Sequence, residues 1–523
     1  MDDFFTITTP IYYVNDVPHI GHAYATILAD VLARFARLRG RPTFFLTGVD
    51  EHGQKVQNAA RKLNVDPQAY VDQMSLRFQD TWKRLNISYD DFMRTTQPRH
   101  VRVVEHVLQD LWQRGEIYRG EYEGWYCVAD ERFWTEKDLV GGLCPECGRP
   151  VERFVEANYF FRMSKYQDWL VDYINTHPDF IRPESRRNEV LGFLRKPLED
   201  LCISRPASRL SWGIPLPFDP AYVTYVWFDA LLNYVTAAGY LHPHSSGARE
   251  SSPQQAGFEA VWAGAIHLIG KDILTTHSVY WPTMLKAAGL PLPKGILAHG
   301  WWVLEGAKIS KSRGGTVKPL ELVDVYGADA FRYFLLRDMT LGQDAEFSRE
   351  RLDSHYHNDL ANNLGNLLQR LVQLTARRGG TIPQPGLETD LEQQLKARCT
   401  ALPQQVFELV EDFAVNQALE KVFDTLTAIN QYLEITAPWK VAKAGDPARL
   451  GTILYTACEA LRLCSVLLSP VMPEKAAEVW QRLGWQPPER LADGLSWGGL
   501  QPGAPVTVGE PLFPRKEEVK PQI

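Results

Sequence analysis

The opening of the chain restricts its fold more than any other stretch. Residues 4–14 alternate and branch as a strand does, and a turn follows at Asp16-Val17-Pro18. Residues 23–39 have helical spacing and stop at Gly40, and residues 43–47 are a second apolar strand. Strand, turn, helix and strand in that order predict a βαβ unit of a doubly wound sheet, whose ligands bind beyond the strand ends. Residues 223–228 and 266–269 are expected to supply later buried strands, so the sheet is split. The interruption, residues 118–216, is rich in turns and aromatics and is expected to form a separate small module. From 349 to 484 the pattern changes: Leu360, Leu364, Leu367, Leu368 and Leu371 recur at helical spacing, which predicts an all-helical domain.

The expected fold class is therefore α/β: a split Rossmann-type parallel sheet in two halves, 1–117 and 217–295, with an inserted module and a C-terminal all-α domain. A linking region, 296–348, precedes the helices. An extended tail, 485–523, follows them and is proline-punctuated from 501 onwards. Residues 242–255, polar and rich in Ser and Pro, read as a surface loop. No internal repeat is visible.

At 523 residues the chain exceeds one hydrophobic core, and 45% hydrophobic residues are enough to fill several. A net charge of -7 gives no general attraction to nucleic acid, so any RNA contact has to come from local basic patches and stacking surfaces. Met1-Asp2-Asp3 lacks the positive charge of a signal or transit peptide, and no uninterrupted apolar run approaches the roughly 20 residues of a spanning helix. A soluble, cytoplasmic protein with no membrane partner is expected. Seven cysteines are an odd number for a disulfide framework, and Cys202, Cys399, Cys458 and Cys464 sit among apolar or helical residues as reduced packing groups.

Two short stretches carry chemistry. His19-Ile20-Gly21-His22 stands at the start of the first helix. There, backbone N–H groups and the positive helix end can face phosphates, Gly21 allows close approach, and the imidazoles lie one helical turn apart. Taken alone, the tetrapeptide is equally compatible with an ordinary helix start. Lys308-Ile309-Ser310-Lys311-Ser312, with Gly306 before it and Arg313-Gly314-Gly315 after it, makes a cationic loop able to close over a polyphosphate. Taken alone, it reads as a solvated basic turn. In the insertion, Cys144-Pro145-Glu146-Cys147-Gly148 has the gap and glycine of a zinc knuckle, with Cys127 upstream. Asp130 stands where a second knuckle would place its other cysteine. The candidate metal set is thus Cys127, Asp130, Cys144 and Cys147, with structural Zn2+; a metal-free turn is the alternative.

In this order, on either side of a split sheet, the two motifs resemble the paired signatures of class I aminoacyl-tRNA synthetases, with Ile309 where methionine is usual. Thr9-Pro10-Ile11-Tyr12-Tyr13-Val14-Asn15 and Gly48-Val49-Asp50-Glu51-His52-Gly53 resemble the methionyl-tRNA synthetase family in particular. So do Tyr225-Val226-Trp227-Phe228-Asp229-Ala230-Leu231 and Ile269-Gly270-Lys271-Asp272, and the likeness extends across nearly the whole chain.

The resemblance implies activation of L-methionine with ATP and Mg2+ to methionyl-adenylate and pyrophosphate. Esterification of the 3′ end of initiator and elongator tRNA(Met) would follow. It implies that His19, His22, Lys308 and Lys311 act in catalysis, and that ATP is held by these with Gly21 and Ser310. Asp50 is implied to hold the α-ammonium. Ile11, Tyr13, Trp227, Tyr234, His277 and Trp281 are implied to shape the side-chain pocket, with Asp272 also in the methionine-binding set. A polarizable thioether suits such an aromatic slot.

Three positions invite comment. Thr276 stands where many members carry phenylalanine, and Asp130 stands where their knuckles hold Cys or His. Arg205 matches an arginine placed near the substrate side of the insertion, though a surface ion pair would serve as well. In the helical domain, Asn366 and Arg370 share a face, and Pro438-Trp439 opens another helix with an indole expected to be exposed. The resemblance assigns Asn366, Arg370 and Trp439 to the anticodon loop. A monomer is expected.

Two other classes remain open on the residues alone. A small-molecule adenylyltransferase shares the histidine helix start but needs no long helical domain. An RNA-binding or zinc-scaffold protein needs no lysine loop.

Overall fold

The computed structural model describes residues 4–130, 132–134, 136–242, 253–304, 307–308 and 317–515. It divides into two compact units, one of Met1–Pro18, Pro42–Trp82 and Tyr89–His299, the other of His19–Arg41, Lys83–Ser88 and Gly300–Ile523.

The first unit is built on a seven-stranded parallel sheet. Its order is Tyr12–Tyr13, Thr43–Asp50, Phe5–Thr8, Ala265–Gly270, Gly295–His299 and Ile181–Arg182, with Asp91–Arg94 also paired to Thr43–Asp50. Phe5–Thr8 and Ala265–Gly270 are buried along their whole lengths, which is why they read as continuous apolar runs. The expected strand 4–14 is two strands, since Pro10 has no N–H to continue the ladder; Thr9 donates to the Leu46 carbonyl just before the break.

Residues 223–228 depart from expectation. Asp219–Thr224 is a strand, but of a separate antiparallel sheet with Ser204–Pro206 and Pro215–Leu216, and Val226–Leu231 is a short helix. The insertion folds mainly as a four-stranded antiparallel sheet of Arg132–Trp134, Ile117–Cys127, Glu152–Phe161 and Leu201–Cys202. It is not wholly apart. Ile181–Arg182 joins the central sheet, and Leu170, Ile174, Phe180, Val190 and Leu194 enter the same apolar core as Phe44, Val104 and Ile296.

The second unit is largely helical. The first helix, Ile20–Leu38, belongs to it and is pinned there by a buried charge pair. Asp30 accepts from Arg332 Nη2 at 2.6 Å, Arg34 Nε at 2.8 Å and the Ser88 N–H at 2.7 Å. Burial alone would push the Asp30 carboxyl up, but the arginines and Ser88 outweigh it and hold its pKa low. Arg332, fully buried, also donates to the Leu85, Pro470 and Val471 carbonyls. Losing one partner of such a pair costs about 3–5 kcal/mol.

The leucines singled out at 360–371 are all buried, and the segments that carry them, Tyr356–Gly365 and Asn366–Ala376, pack against the helices Val415–Thr436 and Pro447–Leu468. Pro447–Leu468 has the length and hydropathy, 1.4, of a membrane-crossing helix, but its apolar window is buried in this unit. Residues 501–515 are non-helical; 516–523, and 243–252 of the expected loop, lie outside the described residues.

One ring in this unit is set to titrate. His355 Nδ1 lies 2.7 Å from Asp359 and Nε2 3.3 Å from Asp338, joining the helix Ala328–Asp338 to the π-helical turn Tyr356–Gly365. Arg351 also pairs with Asp338, Tyr333 donates to Asp359, and the Tyr333 and Phe334 rings pack on the imidazole. The bonds to Asp338 and Asp359 raise the His355 pKa to about 9 against the cost of burial. The charged ring therefore stabilises the fold fully below its unfolded value of 6.5, and that contribution is lost as pH rises through about 9. The wild-type thermal midpoint should fall across this window more steeply than that of His355→Gln. Equal slopes would show that this ring does not carry the effect.

Candidate active site

The expected methionine set lies in the first unit. Tyr13 sits directly beside Asp50 in the parallel pairing, at the carboxyl end of Thr43–Asp50, where ligands of such sheets bind. Asp50 is buried. The half-buried Tyr13 meets the Trp227 indole edge-on at 6.2 Å, and Lys55 Nζ stands 4.9 Å from the Tyr13 ring.

Tyr234, His277 and Trp281 form a second, fully buried group with His267, to which sequence reasoning gave no role. His277 Nδ1 lies 3.0 Å from the Ile273 carbonyl and must donate to it, so Nε2 accepts from the Tyr234 hydroxyl at 2.8 Å. His267 Nε2 accepts from Trp281 Nε1 at 3.1 Å, so its Nδ1–H points to Thr8 Oγ1 at 2.8 Å. The Tyr234 ring stacks on His267 at 4.1 Å. Burial lowers the His277 pKa to about 4 and that of His267 well below its usual range, so both rings are neutral at physiological pH. The result is an uncharged aromatic wall with each ring held by a specific bond.

Ile11 packs at the edge of the core, and Thr276 is buried on the π-helical turn Thr276–Tyr280. Asp272 is exposed, and its Oδ1 lies 2.5 Å from where a Cβ on Gly270 would stand, so a side chain at 270 would only turn the Asp272 carboxylate aside.

The histidine motif lies in the second unit, at the start of Ile20–Leu38. The helix begins three residues earlier than its apolar spacing suggests, because His19 serves as N-cap. Its Nδ1 accepts from the Gly21 N–H at 3.1 Å, while His22 Nδ1 accepts from the His19 N–H at 3.4 Å, a reciprocal capping box. Accepting at Nδ1 puts each neutral ring's proton on Nε2. The imidazoles stack at 3.7 Å, and a side chain on Gly21 would press on His19 at 3.0 Å. Two parallel rings at a helix N-terminus, each with its N–H at the far nitrogen, are suited to an anion.

The family described as tRNA synthetases class I (M) matches residues 5–155 and 149–372, and the anticodon binding domain of methionyl tRNA ligase matches residues 382–520. The chain belongs to the methionyl-tRNA synthetase family. It is 47% identical over 513 residues to the methionine–tRNA ligase of Caldanaerobacter subterraneus subsp. tengcongensis, covering 98% of this chain and 78% of that one. It is 43% identical to that of Streptomyces coelicolor, covering 98% and 97%. Mycobacterium tuberculosis methionyl-tRNA synthetase in complex with methionyl-adenylate superposes with a TM-score of 0.91 at 40% identity, over 98% of this chain and all of that one.

In this synthetase Lys308 lies on a short strand, Ala307–Lys308, paired antiparallel to Trp302–Leu304, and Ser310 and Lys311 lie outside the described residues. Cys127, Asp130, Cys144 and Cys147 converge, their ligand atoms all within 4.8 Å of one another. Cys127 and Cys144 Sγ lie 3.3 and 3.0 Å from Asp130 Oδ2, and Cys127 and Cys147 Sγ are 3.5 Å apart. Positive φ at Gly148, +66°, lets the turn close so that its N–H reaches the Cys144 carbonyl. Arg205 is buried rather than at a surface, between the rings of Tyr126 and Tyr225 at 5.3 and 4.7 Å.

In the helical region, Arg370 lies over the Trp439 ring at 5.5 Å and pairs with Glu434 at 2.7 Å, while Asn366 is exposed. Trp439 is half-buried, not fully exposed as its position suggested, because the guanidinium covers part of the indole. Ala437, at φ +42°, makes the strained turn that ends Val415–Thr436 and starts the helix Pro438–Ala444.

Sequence reasoning missed two further groups. His267 was visible only as a polar residue in an apolar strand. His100 had no local signal because its partner Asp229 lies 129 residues away, and Asp229 and His52, quoted only within motifs, were given no role in the buried cluster they form with it.

Proposed function

We infer a division of labour among these residues for methionyl-tRNA synthesis. The enzyme activates methionine with ATP and transfers the methionyl group to tRNA. The observation that carries the residue reading is the neutral aromatic wall of Tyr234, His267, His277 and Trp281, in the same unit as a buried carboxylate, Asp50.

Asp50 pairs with the α-ammonium. The wall and the Tyr13–Trp227 pair receive an unbranched thioether, each sulfur–ring contact contributing about 0.3–1.5 kcal/mol. A charged imidazole there would be stripped of its water beside an apolar side chain, and the low pKa values of His267 and His277 keep both rings neutral. One methylene's difference is worth about 1–3 kcal/mol, so selection against homocysteine by fit alone is modest.

The methionine carboxylate attacks the α-phosphorus of ATP, which enters with Mg2+, and pyrophosphate leaves. His19 and His22, donating from Nε2, bind phosphate oxygens at the helix N-terminus, and Lys308 and Lys311 stabilise the departing charge. The terminal 2′-hydroxyl of tRNA then attacks the carbonyl, losing its proton as AMP leaves. No side chain acts as nucleophile. Initiator and elongator tRNA(Met) share an anticodon, so a reader formed by Asn366, Arg370 and Trp439 serves both.

The four knuckle ligands fit a structural zinc: one carboxylate and three sulfurs within 4.8 Å suit tetrahedral coordination. Protein purified without chelators should contain about one zinc per chain, lost on Cys144→Ser. Metal analysis finding none in the wild type would remove this assignment.

Methionine-dependent ATP/pyrophosphate exchange tests the reading as a whole. Exchange with methionine but not leucine or valine is expected, and Asp50→Asn should raise the methionine KM. Unchanged methionine use in that variant would sink the pocket assignment.

A further inference from the structure

Asp229 is wholly buried on the short helix Val226–Leu231. Its two carboxylate oxygens are taken by two imidazoles from elsewhere in the first unit: Oδ2 by His52 Nδ1 and Oδ1 by His100 Nε2, each at 2.6 Å. His52 stands two residues after Asp50, and Trp227 two residues before Asp229. One carboxylate thus ties the turn carrying the ammonium ligand to the helix carrying the pocket indole.

The turn is held from its other sides as well. Trp212 Nε1 donates to the Glu51 carbonyl at 2.5 Å, Gly53 donates to the Trp212 carbonyl at 3.2 Å, and the His52 ring meets the Trp212 indole at 5.7 Å. Glu51 donates its N–H to Thr95 Oγ1, and its carboxylate accepts from Arg94 and Thr96. His100 comes from the helix Pro98–Gln113, and its Nδ1 lies 3.3 Å from Thr236 Oγ1. Despite complete burial, which by itself would raise it, the Asp229 pKa is held at about 2 by the two histidines. The anion is therefore permanent at physiological pH.

We propose that Asp229, through His52 and His100, is a positioning residue for methionine: it fixes the distance between the Asp50 turn and the Trp227 helix, and so sets affinity for the amino acid. This rests on the reading of Asp50 and Trp227 as methionine contacts. An asparagine at 229 accepts from only one imidazole and turns its NH2 toward the other, which keeps a bond only by moving its proton to the far nitrogen, so two charge-assisted ties give way to weaker neutral ones with almost no change in volume.

The test is ATP/pyrophosphate exchange with the full chain. Asp229→Asn should raise the methionine KM about tenfold or more, because displacements of an ångström at a binding group cost up to a hundredfold, while the ATP KM stays near wild type. His100→Ala should act in the same direction, and His100→Gln, whose amide still donates to Asp229, should recover most of that loss. If Asp229→Asn does not fold, the two His100 variants carry the test. A methionine KM unchanged in Asp229→Asn and His100→Ala overturns the proposal. So does a loss shared equally by methionine and ATP, or one that His100→Gln fails to rescue at equal thermal midpoint. Asp50→Asn separates the two levels: if it raises the methionine KM while Asp229→Asn does not, the pocket stands and only the positioning role falls.

Discussion

Lys311→Ala should slow methionyl-adenylate formation by roughly two to three orders of magnitude while leaving methionine affinity within about twofold. The reason lies in when the charge is needed. In the pocket proposed above, methionine meets a carboxylate and an aromatic wall that do not involve this lysine. Negative charge builds on the β- and γ-phosphates only as the bond to the α-phosphorus breaks, and an ammonium placed there binds the transition state more tightly than the ground state.

His22→Ala gives a related result with a complication. His22 Nδ1 accepts from the His19 N–H, so the alanine variant also loses part of a helix cap, worth about 0.5–2 kcal/mol. His22→Asn retains an acceptor for that N–H and removes the distal imidazole donor, so it isolates the phosphate-binding role proposed for the ring. Single-turnover adenylate formation, measured beside methionine binding by intrinsic fluorescence, distinguishes the cases. A pure rise in methionine KM for Lys311→Ala would contradict its role.

What the sequence disclosed follows from what is local. Phe5–Thr8, Thr43–Asp50 and Ala265–Gly270 are buried on both faces, so their apolar runs were legible, and the leucines of the helical unit kept a helical period. Residues 223–228 failed for a physical reason: Val, Trp and Phe favour strands intrinsically, but at Tyr225 the backbone caps a helix whose Asp229 is held by two distant histidines. Ile181–Arg182 is too short to show a period, so its place in the central sheet was invisible. The start of the first helix was placed late because histidine is not a common N-cap, and only the reciprocal bonds with Gly21 and His22 make it one. In the site, residues inside contiguous motifs could be named, whereas His267 and His100 gain their roles from Thr8 and Asp229, 259 and 129 residues away.

The choice of tRNA gives the second large effect, and the geometry around Trp439 sharpens it. Base–aromatic stacking is worth roughly 1–3 kcal/mol, so Trp439→Ala should lower tRNA charging by about tenfold to a hundredfold or more. Methionine-dependent pyrophosphate exchange should remain near normal. In the free chain the guanidinium of Arg370 lies over the indole and pairs with Glu434, whose side chain is 62% exposed. An unpaired base can stack on the indole, while Arg370 exchanges its exposed carboxylate partner for a base edge or phosphate. That exchange costs little, because a surface ion pair is worth at most about 1 kcal/mol. Arg370→Ala should therefore weaken charging as well, and Glu434→Gln should not, since it removes a competitor for the guanidinium. Asn366, exposed one turn before Arg370 on the same helix, should show a smaller loss on substitution by alanine. Changing any base of the CAU anticodon should reduce charging by the wild type and change it much less in Trp439→Ala, because the contact that reads the loop is already gone. If Trp439→Ala and Arg370→Ala charge the matching tRNA at the wild-type rate, or if they abolish exchange and lower the thermal midpoint together, the indole and guanidinium are packing groups and the reader lies elsewhere on the helical unit.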